Sequence, residues 1–261
     1  MAGTLCLLRQ AGHETHYLNL ANGSCGGALH SAARLRAIRR REGQAAARIL
    51  GATFHPSLVD DLDVYYDRPT LRKLAAIIRE VSPRIVLAPS PQDYMEDHTN
   101  TCRLAVTAAF VCGMRNFITT PRLPPAAGEL TVYHAMPHGL RGPLRERVVP
   151  GIFVNTAGVH KTKTVALAAH ASQQEWLNSS QRMDGPLQTM ERFSREVGAM
   201  SGRFEHAEGW RRRLHYGFCA EKADPLREAL GRSCVINPDY EAALEAGGPR
   251  TETPPAATAA R

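Results

Sequence analysis

An aspartate and a histidine stand side by side shortly after an apolar run, at Asp97 and His98. An imidazole nitrogen ligates zinc readily, and a neighbouring carboxylate can orient the imidazole or tune the metal. The pair therefore predicts a metal site in which His98 is a ligand and Asp97 takes part in catalysis beside it. A second interpretation is a helix that begins at a capping aspartate and is followed by a histidine with no chemical role.

The elements around this pair are those of an α/β sheet. Residues 84–88, Arg-Ile-Val-Leu-Ala, are typical of a strand buried on both faces of a parallel sheet. Helical periodicity precedes this run and follows it. Such alternation implies right-handed crossovers and a doubly wound sheet, in which ligands bind beyond the carboxyl ends of the strands. The Asp-His pair lies at such an end, where a site is expected.

The same periodicities predict the other elements and one domain, over residues 1–245. Residues 246–261, rich in Pro, Thr and Ala, are expected to be a disordered tail. The predicted helices are 1–10, 32–50, 70–81, 98–110, 159–177 and 188–213, and the predicted strands are 16–21, 53–59, 84–88, 130–134 and 152–155.

Composition excludes several classes of protein. The chain has 261 residues, 43% hydrophobic and 22% charged, as globular proteins do. Its six cysteines form no CxxC pair, so we expect reduced thiols in a cytoplasmic protein and no zinc finger. No apolar run approaches the ~20 residues of a membrane helix, and residues 1–12 lack a signal-peptide pattern. We therefore expect no membrane partner.

The net charge of +7 is concentrated in runs such as residues 34–41, which contain five arginines. Such a run could attract phosphate or nucleic acid. No aromatic residues interleave with it as stacking platforms would, so a solvated helix face is the better interpretation. We expect no nucleic-acid partner.

A glycine-rich turn at residues 22–27 follows the first predicted strand. It matches neither the G-x-G-x-x-G fingerprint nor a Walker motif, so the signal for a nucleotide is weak. The glycines more simply let the backbone turn tightly beside a ligand pocket. A nucleotide-binding Rossmann-type enzyme, such as a methyltransferase, stays as an alternative.

Several short motifs occur in a particular order and spacing. The motifs are Ala2-Gly3-Thr4-Leu5, Asn22-Gly23, Arg39-x-x-Glu42, Leu62-Asp63, Asp93-Tyr94-x-x-Asp97-His98 and His170-Ala171-Ser172-Gln173. Together they resemble the PIG-L or LmbE-like family of zinc-dependent N-acetylglucosaminyl de-N-acetylases. The resemblance extends over most of the chain, to about residue 217, and no single motif would suffice for it.

This resemblance implies a Rossmann-like three-layer α/β fold with a mostly parallel sheet, and a hydrolase that removes acetyl from an N-acetylated amino sugar. In the family, Zn²⁺ is held by the His and second Asp of a His-Pro-Asp-Asp motif and by a later histidine, which His98 matches. The first Asp of that motif is the general base. The metal lowers the pKa of a bound water, which attacks the amide carbonyl. The assembly is left open between a monomer and a homo-oligomer.

The sequence departs from the family first at the His-Pro-Asp-Asp motif, which is absent together with the strand that carries it. The His55-Pro56 pair does not continue into acidic residues. The resemblance therefore implies a sheet without its first strand and impaired activity in the chain as given. Two explanations are open: a start codon placed too late, or a non-catalytic sugar-binding relative.

A second departure is Met95, which stands where many relatives have a histidine that helps protonation. A methionine cannot transfer a proton, so an acid for the leaving amine must come from elsewhere. His134, His138 and His170 are the candidates, and each could instead be a hydrogen-bonded structural histidine.

Three residues are predicted to contact the substrate: Asn22, Arg39 and Tyr94. The guanidinium of Arg39 would suit an acetate-like or sugar oxygen, and the alternative is a salt bridge with Glu42 one helical turn away. Tyr94 either lines the pocket or packs beneath it. We expect Asn22, Arg39 and the loop 23–27 to border the same cavity as His98.

Overall fold

The computed structural model describes residues 1–27, 29–180 and 185–246. Helices and strands alternate along the first two thirds of the chain. The helices are α1 Ala2–Gln10, α2 Ala32–Leu50, α3 Arg68–Val81, α4 Glu96–Val111, α5 His160–Ala168, α6 Ala171–Ser180, α7 Pro186–Met200, α8 Pro225–Leu230 and α9 Pro238–Glu245. The strands are β1 His16–Leu18, β2 Thr53–His55, β3 Ile85–Ala88, β4 Thr131–Ala135, β5 Ile152–Asn155, β6 Ala207–Arg212 and β7 Cys234–Ile236.

The helix ends follow local sequence signals. Asp67 caps α3, because its side chain accepts a hydrogen bond from the backbone N–H of Thr70 at 2.7 Å. Helix α2 ends at Gly51, which adopts a left-handed conformation with φ of 69° that favours glycine. No helix in the described part of the chain is long and apolar enough to cross a bilayer.

The strands form two sheets. In the first, β1 and β2 are parallel. The second has the order β3-β4-β6-β5-β7, in which β3 and β4 are parallel while β6 is antiparallel to both β4 and β5. The carboxyl ends of β3, β4 and β5 and the amino end of β6 therefore lie at one edge, which we call the carboxyl edge.

Helices cover both faces of the second sheet, which confirms the predicted three-layer α/β fold. On one face, Leu8 of α1 and Leu226 of α8 pack with the fully buried Trp210 and Tyr133. On the other face, α4 covers β3 and β4, and α7 covers β5 and β6 through Val197. Burial of these aromatic side chains contributes a large share of the core energy.

A deep cavity of about 990 Å³ separates the two sheets. In the described part of the chain, β1 and β3 each pair along one edge, and their other edges line this cavity from residue 14 to 21 and from 82 to 89. Helices α1, α3, α4 and α8 close its sides. A strand placed in the cavity would find hydrogen-bonding edges on both sides and would join the two sheets.

The start of α1 is fixed by a buried carboxylate on β6. Glu208 accepts hydrogen bonds from the backbone N–H groups of Gly3 and Thr4 at 2.9 and 2.8 Å, and Lys163 lies 2.9 Å away. Burial opposes ionisation of Glu208, but Lys163 and these donors hold its pKa well below the ordinary value. A side chain at position 3 would collide with Thr156, so glycine permits this close approach.

Two predicted helices are wrong in extent. The predicted helix 188–213 ends at Met200 and is followed by strand β6, since Gly202 turns the chain at a φ of 63°. The predicted helix 159–177 is divided into α5 and α6 at Ala169 and His170. Elements α8, β7 and α9 were not predicted. Residues 247–261, which make up nearly all of the predicted tail, lie outside the described residues.

Candidate active site

His98 and Asp93 form a hydrogen-bonded pair just beyond the carboxyl end of β3. His98 lies in the first turn of α4, and its Nδ1 is 3.0 Å from Asp93 Oδ1. The other oxygen of Asp93 accepts a hydrogen bond from the backbone N–H of His138 at 3.2 Å. With Nδ1–H donated to the carboxylate, Nε2 carries the lone pair, and in the described chain no hydrogen bond engages it. Histidine ligands of metals are commonly oriented in this way.

The contact between Asp93 and His98 shifts the pKa of each side chain toward its charged form. Burial opposes ionisation of Asp93, which is 8% exposed, but the hydrogen bonds from His98 and His138 hold its pKa below the ordinary value. The hydrogen bond to Asp93 raises the pKa of His98, although burial acts in the opposite direction. Asp93 is therefore an anion at neutral pH and fixes the orientation of the imidazole.

Asp97, predicted to be the partner of His98, makes no hydrogen bond to it, because Asp93 occupies that position. The Oδ1 of Asp97 is buried and has no hydrogen-bond partner among the described residues, and both Asp97 and His98 line the cavity between the sheets. An unpartnered buried carboxylate oxygen and a free imidazole nitrogen on residues that line the same cavity fit part of a zinc site. A catalytic zinc usually has three protein ligands, and within residues 1–27, 29–180 and 185–246 no set of three His, Cys, Asp or Glu ligands surrounds His98.

His138 and Tyr94 stand beside the pair. The ring of Tyr94 lies 5.5 Å from the rings of both His98 and His138, and Phe193 of α7 packs edge-on against His138 at 5.4 Å. Burial lowers the pKa of His138, so its imidazole is neutral at pH 7. Tyr94 is 57% exposed and lies beside His98 rather than beneath the pocket. His138 is thus the predicted acid candidate that the fold brings next to His98.

His134 and His170 occupy other surroundings. His134 is 4% exposed; its Nδ1 lies 3.0 Å from the carbonyl oxygen of Pro89 and 3.4 Å from Cys102 Sγ, and burial lowers its pKa. The Nε2 of His170 lies 3.3 Å from the hydroxyl of Tyr17 on β1. These contacts favour a structural role for His134, and they connect His170 to a wall of the cavity through Tyr17.

Arg39 clamps the glycine-rich loop. Its two terminal nitrogens donate to the carbonyl oxygens of Gly23 and Gly26. No ion pair with Glu42 forms, since Glu42 instead accepts from the backbone N–H and hydroxyl of Ser172 at 2.8 and 2.7 Å. The alternative interpretation of Arg39 as a salt-bridge partner of Glu42 is therefore wrong, and the guanidinium supports the loop.

Asn22 is held in a similar way at the start of the loop, where its amide donates to Asp60 at 2.6 Å. Asn22, Arg39 and the loop 23–27 lie outside the lining of the cavity that His98 borders. The shared cavity expected from the sequence is therefore not found.

Arg211 is a supporting residue that the sequence did not indicate. It reaches from β6 to the loop between β3 and α4, where it donates to Ser90 Oγ at 2.9 Å and Gln92 Oε1 at 3.2 Å. This loop carries Asp93. Arg211 was missed because its segment was interpreted as a helix, whereas Asp93 was part of the quoted motif and only its partner was misassigned.

The fold and site define a three-layer α/β protein with an oriented histidine at the carboxyl edge. Residues 1–110 match the PIG-L family, described as GlcNAc-PI de-N-acetylase. The chain is 28% identical over 216 residues to the 4-oxalmesaconate hydratase of Pseudomonas putida, covering 79% of this chain and 81% of the relative. It is 29% identical over 184 residues to the diacetylchitobiose deacetylase of Thermococcus kodakarensis, covering 66% and 64% respectively.

Among solved structures, the N,N′-diacetylchitobiose deacetylase of Pyrococcus horikoshii superposes with a TM-score of 0.66 at 24% identity, over 82% of this chain and 78% of that one. This similarity establishes a shared fold. The match to the PIG-L family extends over residues 1–110, so the likeness to that family is shown for this part of the chain.

Proposed function

We propose that the protein is a zinc-dependent amide hydrolase that removes acetyl from an N-acetylated amino sugar. The observation that carries this proposal is the Asp93–His98 pair at the carboxyl end of β3, with Nε2 left free beside a cavity. The deacetylase relatives support it, since a diacetylchitobiose deacetylase acts on an acetylated amino sugar by its name.

The residues present fit one side of a zinc site. His98 and Asp97 would hold the ion, which would act as a Lewis acid and lower the pKa of water near the amide. Asp93 keeps His98 in the tautomer that offers Nε2. His138, neutral at pH 7, would first accept a proton and then donate it to the leaving amine.

The test is acetate release from a panel of N-acetylglucosaminyl compounds in the presence of Zn²⁺, by the chain extended before Met1 with a strand-forming segment that ends in His-Pro-Asp-Asp. We expect His98→Ala to remove both zinc-dependent turnover and tight zinc binding. His215→Ala is the matched control, since His215 lies outside the lining of the cavity that His98 borders and packs its ring against Tyr216. Stoichiometric zinc binding retained by His98→Ala would show that the ligand assignment is wrong.

A hydratase acting on an unsaturated polycarboxylate is the second candidate. The relative that covers most of the chain is a hydratase of this kind by its name. Cationic groups flank the site, because Arg192 lies over the ring of Phe193 next to His138, and Arg211 holds the Asp93 loop. Anionic substrates are recognised by such guanidinium groups.

Two assays on a single protein preparation distinguish the deacetylase from the hydratase. The protein is assayed in parallel for acetate release and for loss of the ultraviolet absorbance of 4-oxalmesaconate. Turnover of the polycarboxylate without acetate release from any sugar would overturn the deacetylase proposal. Saturable sugar binding without turnover, in the presence of bound zinc, would instead indicate the sugar-binding alternative.

A further inference from the structure

Two histidines and a glutamate from three separate elements meet at the carboxyl edge, on the β5–β6 side of the sheet. His160 begins α5, Glu191 lies on α7 and His206 immediately precedes β6. His160 Nε2 is 2.5 Å from Glu191 Oε2, and His206 Nε2 is 2.9 Å from Glu191 Oε1. One ligand atom from each residue can be chosen so that all three lie within 4.8 Å of one another.

These three side chains are ligands that suit a borderline-soft divalent cation. Two imidazoles and one carboxylate are a common protein ligand set for zinc, and imidazole also suits nickel and copper. Both rings direct Nε2 to the same carboxylate and stack with centroids 3.9 Å apart.

The charge state of the glutamate is also appropriate. The hydrogen bond to His206, with further help from Arg195 and His160, lowers the pKa of Glu191 to about 2. The carboxylate is therefore ionised throughout the neutral range. His160 Nε2 faces Glu191, while His160 Nδ1 is buried and has no hydrogen-bond partner among the described residues. Protein groups alone leave the cluster incompletely satisfied.

We propose that His160, Glu191 and His206 form a binding site for a divalent transition metal of the zinc class, separate from His98. The ion replaces the protons now shared between each Nε2 and the carboxylate. Glu205 supports it from outside, since Glu205 Oε1 lies 3.9 Å from His206 Nδ1 and can orient that ring. Arg195, which donates to Glu191, also lies 3.4 Å from Glu205 and can move to it.

A metal ion bound by His160, Glu191 and His206 would hold together elements that pack beside the candidate active site around His98. The three ligands tie α5, α7 and the start of β6 together, beside the buried Lys163 of α5, which bonds Ser194 of α7 and Glu208 of β6. Phe193 lies two residues after Glu191 on α7 and packs against His138. Metal binding therefore restrains the helix that supports His138, without contacting the reacting groups.

The experiment uses the full chain carrying His98→Ala, which removes the other candidate ligand. The metal-free protein is titrated with Zn²⁺ by calorimetry and with Co²⁺ by absorption spectroscopy. We expect one equivalent of each metal to bind, with Co²⁺ bands of four-coordinate intensity. Adding His206→Ala or Glu191→Gln should weaken binding at least tenfold, whereas adding His215→Ala should leave it unchanged.

Folding is monitored in the same variants, because His206 is buried and its replacement could disturb the structure. Glu191→Gln removes charged contacts to His206 and Arg195, so we expect the metal-free Tm to fall somewhat, and the deciding result is that the variant loses the rise in Tm that Zn²⁺ gives the parent. Absence of saturable binding in the His98→Ala chain would overturn the proposal. Equal affinity in Glu191→Gln and its parent would overturn it as well.

Discussion

At the scale of single residues, the Asp93–His98 pair is the feature with the clearest chemical consequence. Asp93 lies five residues before His98 and was not singled out as its partner, yet it is Asp93 that bonds to the imidazole. The loop between β3 and α4 turns the carboxylate back toward the first turn of the helix. The turn of this loop therefore orients Asp93 so that it binds Nδ1 of His98 and leaves Nε2 free for a ligand.

We predict that Asp93→Asn lowers stability most in a defined range of pH. His98 has a raised folded pKa, so its contribution is complete below the ordinary value of 6.5 and is lost as pH rises through the folded pKa. Asp93 has a lowered pKa, so its contribution is present above 3.8 and lost as pH falls through the folded pKa. The destabilisation should therefore be largest between pH 3.8 and 6.5.

Thermal unfolding of the metal-free chain across pH measures this effect, and NMR titration should show a lower pKa for His98 in the variant. Glu96→Gln is the control, since Glu96 is exposed on the same turn of α4. A Tm difference that does not change with pH would contradict the assignment of the pair.

At the scale of elements, the contact between α1 and β6 holds the chain's first helix to the sheet. Glu208 is 7% exposed and satisfies the first N–H groups of α1, where a carboxylate also interacts favourably with the helix dipole. Trp210, two residues later, donates from its indole to the hydroxyl of Thr4 at 2.9 Å. Strand β6 thus holds the helix through the charged side chain of Glu208 and through the indole of Trp210, which both packs against it and donates a hydrogen bond.

We predict that Glu208→Ala destabilises the protein by about 3–5 kcal/mol, because it leaves Lys163 as an uncompensated buried charge and removes the partner of two helix N–H groups. Urea unfolding followed by circular dichroism gives the difference in free energy of unfolding. Glu228→Ala is the matched control; Glu228 is 64% exposed, lies 3.5 Å from Arg84, and should change stability by less than about 0.5 kcal/mol. Equal losses in both variants would refute the argument.

At the scale of the whole molecule, the cavity between the two sheets governs both stability and the completeness of the site. The edges of β1 and β3 present unpaired backbone groups to it, and apolar side chains such as Leu18 and Leu87 line it. Exposed strand edges of this kind promote aggregation. His98 and Asp97 line this cavity beyond the carboxyl end of β3. A catalytic zinc site there would need further protein ligands.

We predict that fusing a strand-forming segment that ends in His-Pro-Asp-Asp to Met1 raises both Tm and zinc affinity. A strand parallel to β1 and β3 would end at the carboxyl edge, near the start of α1, and would place acidic and imidazole ligands opposite His98. The 261-residue chain should release little acetate, and the extended chain should release more.

The control for this experiment is the same extension ending in Ala-Pro-Ala-Ala. It should raise Tm by pairing with both strand edges, but it should improve neither zinc binding nor turnover. An extension that leaves Tm unchanged would show that the cavity does not accept a strand. Equal turnover by the 261-residue and extended chains would show that the site obtains its base and ligands elsewhere.

The sequence by itself determined the local elements and the general position of the site. Helix α3 and strand β3 were predicted to within a few residues, since an apolar stripe, a proline and a short apolar run act over neighbouring positions. Five of the six family motifs lie within residues 1–110, which the family match covers, and the sixth lies at residues 170–173. His98 was placed at the end of β3 for the same local reason.

Only the tertiary structure decided which groups meet. Strand β6 was interpreted as helix because its identity depends on hydrogen bonds to β4 and β5, which lie more than fifty residues earlier in the chain. His160, Glu191 and His206 converge although 46 residues separate the first from the last, so no spacing in the sequence could have indicated them. Packing of α5 and α7 against that strand brings these side chains together, and such long-range contacts leave no periodic pattern in the sequence.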